Sequence, residues 1–344
     1  MSRLKVDNIE TRSGNNVAMD NALQLKSYST TDRDALTSVA GDIIYNSTVN
    51  KMQLHNGTSW GDVGTPIADV DFLLIAGGGG GGGASCNYVA SGGGGAGGYR
   101  SSYNNETSGG GGSSEDGYTV IANGNVNYLV SVAAGGPGNS SGYQQSLQAS
   151  DTTAFGLTAV GGGGGGSYQG TLSERNGGSG GGGSGSGTGS NNTARNGGAG
   201  TANQGFNGYK GSTNHYAKGG GGGGAGSGAS AVTDHQTNGG AGVAIAILSV
   251  ANASAGSIGE VSGSDVYYAG GGGGAAGIGP GNGGLGGGGN GSDHGTSRTE
   301  AGTANTGGGG GGGSKKPGVT SVGKAGGSGV VIVKYPSDKT ISVG

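Results

Sequence analysis

The residue types that do chemistry are few in this chain, and their spacing does not assemble a reaction centre. His55, His215, His235 and His294 are the only histidines, far apart and without the i, i+4 spacing that places two imidazoles on one metal. Gly318 to Lys324 nearly spells a phosphate-cradling loop, but Ala325 stands where a Mg²⁺-binding hydroxyl belongs, and no alternation of strands and helices surrounds it. Gly288 to Asp293 matches the opening of a calcium-binding β-roll repeat, yet Gly295 replaces its large apolar residue and the unit does not recur. Glu106, Glu115, Glu174, Glu260 and Glu300 lie in separate polar stretches rather than as the carboxylate pair that glycoside hydrolysis needs. Cys86 is the only cysteine, which excludes an intramolecular disulfide and a multi-cysteine metal site. The sequence therefore predicts no catalytic residues, no cofactor and no metal; the expected class is a protein that binds or builds, not an enzyme.

Side chains suited to gripping a surface do concentrate. Phe206, Tyr209, Lys210, His215, Tyr216 and Lys218 fall within thirteen residues between two glycine runs, and aromatics interleaved with cations and amides are how loops hold glycans or protein tips. Tyr168 with Arg175, and His235, are further candidates for receptor contact. The competing reading is that these rings cover the end of a bundle.

The elements that must position such residues cannot rest on an ordinary core. Of 344 residues 95 are Gly, while only 3 are Phe and 1 is Trp. Ordering one residue costs about 1–2 kcal/mol, so isolated glycine tracts would stay unstructured. Their spacing argues otherwise: runs recur at 77–83, 92–95, 109–112, 161–166, 180–183, 219–224, 270–274, 286–289 and 307–313. A glycine run can take the polyproline-II-like helix of three residues per turn, whose N–H and C=O groups all point outward. Packed side by side with no Cβ between them, such helices can satisfy one another's backbones, each bond contributing about 1 kcal/mol net. The expected fold is mostly β and irregular, a polyglycine-II bundle capped by short strands and preceded by a small β-meander.

Composition shifts near residue 65. The first 64 residues hold only Gly14, Gly41, Gly57, Gly61 and Gly64, so residues 1–64 are read as an N-terminal attachment module and 65–344 as the glycine-rich domain. In the module, residues 4–9 and 22–26 alternate as strands, Thr31 to Leu36 opens a two-turn helix, and residues 42–46 and 51–55 form a hairpin before Asn56-Gly57 and Trp60. So small a unit is marginal alone, and Tyr45, Leu54 and Trp60 are expected to be buried against further copies, with a trimer favoured. In the second part, residues 70–76 and 330–335 bracket the glycine region as β-branched strands, with strand-like insertions at 118–121, 128–132, 242–248 and 265–269. A net charge of −3 with 11% charged residues argues against nucleic acid as a partner. Neither a secretory signal nor an 18-residue apolar run is present, so a soluble protein is expected.

Three stretches carry a resemblance: Val70 to Gly80, Gly94 to Arg100, and Gly326 to Pro336, with Tyr118-Thr119-Val120 between them. This ordered set resembles the glycine-rich domain of bacteriophage tail-fibre and adhesin proteins. Residues 4–10 and 41–60 are similar to segments of structural proteins of marine tailed phages, cyanophages in particular. The resemblance implies a polyglycine-II sandwich at an exterior position on the virion, host-receptor recognition through loops, and as partners a host surface glycan or outer-membrane protein together with other fibre or baseplate proteins. It departs in one respect, since the segment before the glycine region is short for an attachment domain. A self-associating fibre or decoration protein without receptor binding is the alternative.

Overall fold

The computed structural model describes residues 24–63, 66–85, 87–121, 127–140, 146–167, 175–186, 194–212, 218–233, 236–294 and 298–337. The expected strand at 4–9 lies outside them. The chain divides into two units, residues 1–67 with 121–126 and residues 68–120 with 127–344. The protein is mostly strand and irregular backbone, with two α-helices and several small sheets among the described residues.

In the first unit, β1 (Ser27–Tyr28), β2 (Ile43–Asn46), β3 (Lys51–His55) and β4 (Trp60–Asp62) form a sheet in chain order, parallel between β1 and β2 and antiparallel thereafter. The short helix α1 (Thr30–Asp34) is capped by Ser29, whose Oγ accepts from Asp32 N and donates to Asp32 Oδ2. The cap thus sits two residues before the expected Thr31, on the same Ser-x-x-Asp spacing. The turn after β3 is wider than a two-residue one: Asn56 Oδ1 accepts from Thr58 N and Ser59 N, and only Gly57 takes positive φ. Its sheet is inverted in polarity. Ile44, Asn46, Gln53 and His55 are buried, and Gln53 is held by Arg33, Asn46 and Asp62; Ile43, Tyr45, Met52 and Leu54 point the other way and remain exposed.

In the second unit, β5 (Pro66–Ile75) is the central strand. Its partners are β7 (Tyr99–Ser101) on one edge and β19 (Val330–Lys334) on the other, with β8 (Tyr118–Ile121) also paired to it. The two bracketing strands thus meet, Val330 opposite Ile75 and Lys334 opposite Asp71. Alternation along β5 feeds two clusters: Leu73 and Ile75 pack with Tyr99, Ile245, Val266 and Tyr268, while Phe72 and Leu74 face Tyr118, Phe155, Leu157 and Val331. Smaller sheets lie along the rest of the unit. A four-stranded one joins β6 (Val89–Ala90), β11 (Gly185–Ser186), β17 (Ser314–Lys316) and β18 (Val319–Thr320); β9 (Thr152–Ala154) with β10 (Leu157–Ala159), and β12 (Ser230–Thr233) with β13 (Gln236–Asn238), are hairpins. β14 (Val243–Ala244), β15 (Glu260–Ser262) and β16 (Asp265–Tyr268) make the last, beside α2 (Val250–Gly256). The expected strand at 128–132 is reduced to one bridge, Ser131 to Thr153, and that at 242–248 to two residues.

Between these sheets the glycine runs bond to one another, and the pattern repeats every third residue. Gly78 and Gly81 donate to the carbonyls of Gly327 and Lys324, while Gly79 and Gly82 donate to Gly95 and Gly92. The carbonyls of Gly77 and Gly80 accept from Gly162 and Gly165. One run thus serves three neighbours in rotation. The run beside it does the same, Gly93 and Ala96 donating to Gly220 and Gly223, and Gly94 and Gly97 to Gly310 and Gly307. These glycines are buried, and a Cβ on Gly94 would fall far inside van der Waals contact of the Gly79 carbonyl oxygen.

Candidate functional site

Phe206 and Tyr209 stand within the backbone network rather than on a free loop. Phe206 N donates to Gly224 O and Tyr209 N to Gly221 O, while Gly180 N and Gly183 N donate back to their carbonyls, all at 2.9–3.0 Å. Three-residue spacing therefore fixes both residues against the same two glycine runs. Their side chains are half-buried at the edge of the network, and Asn207 between them is exposed, its Oδ1 accepting from Gly200 N. Lys210, the next residue, is exposed. Gly211 N donates to Arg195 O and Ser212 N to Lys218 O, so the segment is anchored on both sides of residues 213–217.

The other candidates are dispersed. Lys218 is half-buried and bridges to Ala276. Arg175 is half-buried, its Nε enclosed without a hydrogen-bond partner and its carbonyl accepting from Gly181 N. His215, Tyr216, Tyr168 and His235 lie outside the described residues. In the first unit, Tyr45 and Leu54 share the exposed apolar face, whereas Trp60 lies opposite His55 on the other face, with the two ring centroids 5.1 Å apart. Those three residues do not form one patch.

The electrostatics are quiet. Three ion pairs occur among the described residues, Arg33–Asp34, Lys51–Asp62 and Arg100–Glu115. Hydrogen bonds from Gln53 and Lys51 hold the Asp62 carboxyl below its ordinary value. Burial pushes the Tyr99 phenol upward, with the Glu106 charge adding to it, and pushes Tyr268 up to about 12; both hydroxyls are enclosed without a partner. Burial lowers the His294 imidazole, against a weak contact to Val89 O. No group of three or more metal-ligating side chains occurs among the described residues, and no helix there is long and apolar enough to cross a membrane.

A family model described as a glycine-rich domain matches residues 55–336, most of the chain. The chain belongs to the glycine-rich domain family. The match begins in β3 and ends just beyond β19, so the glycine-rich domain takes in both strands that flank β5 along with every glycine run between them. Comparison with curated proteins returns no match. Sequence reasoning passed over a cleft in the glycine-rich domain bounded by Tyr118 and Phe155. The one available signal was an aromatic residue directly before Gly156 in a two-residue turn, a place that usually takes Asn.

Proposed function

We propose that this chain is a non-enzymatic virion fibre or adhesin protein, whose first unit attaches and self-associates and whose glycine-rich domain displays a surface-binding segment to a host cell. The observation that carries the reading is the third-residue hydrogen-bond rotation of the glycine runs. Three residues per turn is the repeat of a polyglycine-II helix, and a bundle of such helices is the scaffold we assign to the domain. Such a scaffold has no interior for a substrate and confines variable side chains to its margins, as with Phe206, Tyr209 and Lys210. For the first unit, the support is the uncharged face of Ile43, Tyr45, Met52 and Leu54, paired directly across β2 and β3 and exposed. An apolar face of this kind on so small a unit favours contact with further copies.

The test is binding of labelled, folded protein to intact candidate host cells, with and without replacement of residues 210–218 by a Gly/Ser segment of equal length. Saturable binding lost on replacement is the expected result. A folded protein that binds no host, yet assembles, would instead favour the second reading, a self-associating fibre or decoration protein. Sedimentation checks the assembly separately: Leu54→Lys is expected to shift an oligomer to monomer, and a wild-type monomer would contradict it.

A further inference from the structure

The cleft beside β5 in the glycine-rich unit has a volume of about 470 Å³. We propose that it is a saccharide site, taking a neutral or N-acetylated hexose ring; the inference rests on the reading of this chain as a surface binder and names the chemistry bound.

Its floor and wall are aromatic. Phe155 stacks on Tyr118 with ring centroids 4.8 Å apart and planes at 26°, and Phe72 lies 6.3 Å from Phe155 beneath them. Leu157 completes the apolar side. Phe72 is almost wholly buried, whereas Tyr118, Phe155 and Leu157 keep partial exposure, so ring surface remains for a ligand. The rim is polar, with Ser114, Glu115 and Asp116 following one another along the chain. A pyranose presents a C–H face and a belt of hydroxyls, which suits a ring surface bordered by acceptors.

Two features indicate a pre-organised cleft. The Glu115 carboxylate is gripped by Arg100 at 2.6 and 2.7 Å, and Arg100 donates in turn to Thr158 O at 3.1 Å, which fixes the acceptor while each oxygen retains a further lone pair. Phe155 has φ of 56° at the first of the two residues joining β9 and β10, followed by Gly156 at 75°. Asn, Asp or Gly ordinarily fills such a position, and a bulky residue held there is strained. Strain of this kind gathers at binding sites. Asp116 is exposed and takes part in none of the ion pairs among the described residues, leaving its carboxylate for a ligand hydroxyl. Arg100 offsets the charge of Glu115, whereas the Asp116 carboxylate on the rim has no ion pair among the described residues and disfavours acidic sugars, hence the neutral class.

The experiment applies the full-length protein to an array of neutral, N-acetylated and uronic-acid oligosaccharides, then measures each hit by calorimetry for the wild type, Asp116→Asn and Tyr118→Ala. The proposal expects a neutral or N-acetylated hit, no uronic-acid hit, and an affinity loss of about tenfold in Tyr118→Ala, on the scale of one stacked-ring contact. Asp116→Asn, at an exposed position, keeps the melting temperature and still weakens binding. Absence of any neutral hit, or hits that both variants leave unchanged, overturns the proposal. Cell binding separates this from the broader reading: attachment that survives both variants sinks the saccharide site alone, whereas saccharide binding without attachment to any host sinks the adhesin role and leaves the site standing.

Discussion

At the scale of single residues, the glycines divide sharply by what a Cβ would meet. Gly310 N donates to Gly79 O and its carbonyl accepts from Gly94 N, and a Cβ there would drive into the Lys324 carbonyl. Gly310→Val is therefore expected to cost about 3 kcal/mol or more, by overpacking and by backbone bonds left unmade. Gly228 has ordinary contacts only, at 3.6 Å or beyond, so Gly228→Ala should change stability by less than about 0.5 kcal/mol. Chemical denaturation of the two variants beside the wild type checks both. The buried hydroxyls give a prediction of opposite sign: Tyr99→Phe removes an unpartnered polar group and should raise stability by about 1 kcal/mol in the same measurement. His294 supplies the pH dependence. Its folded-state pKa lies below the ordinary 6.5, so the unfolded chain takes up the proton first; stability is full above that value and declines as pH falls from 6.5 toward the folded pKa. Melting curves should show that slope reduced in His294→Gln relative to wild type.

At the scale of elements, legibility followed the strength of local patterns. β5 and β19 were readable because apolar residues run unbroken from Phe72 to Ile75 and β-branched ones from Val330 to Val333. Residues 128–132 are as apolar but form a single bridge, and Leu129, Val130 and Val132 stay exposed, the strand beside them, β9, being three residues long and already paired with β10. Helix α2 was missed, although Ser249 caps it and alanines fill it, because its seven residues sit among strand-like neighbours. The backbone setting of two binding candidates was not legible either: Phe206 and Tyr209 sit in a stretch without strand or helix, yet their three-residue spacing matches that of the glycines they bond to. Composition could not reveal the cleft at Tyr118 and Phe155, which arises only when β8 and the β9–β10 turn come together. In the first unit, Asp62 is held by Gln53 and Lys51 with its pKa lowered, so its contribution is present above the ordinary 3.8 and disappears as pH falls through the lower folded value. Acid titration of Asp62→Asn should lose that part of the transition.

At the scale of the molecule, a chain with 3 Phe and 1 Trp draws its cohesion from glycine backbones bonded to glycine backbones, and that network supports the side chains at its edge. The measurement that tests this most directly is native-state amide hydrogen exchange, resolved over the runs 77–82, 92–95 and 307–312. Each of those N–H groups that bonds to another run should exchange at least about a hundredfold more slowly than the same amides in the denatured chain, as for amides that open only with substantial unfolding. Exchange at the denatured rate throughout the three runs would contradict the account, for the glycines would then be linkers and not a lattice.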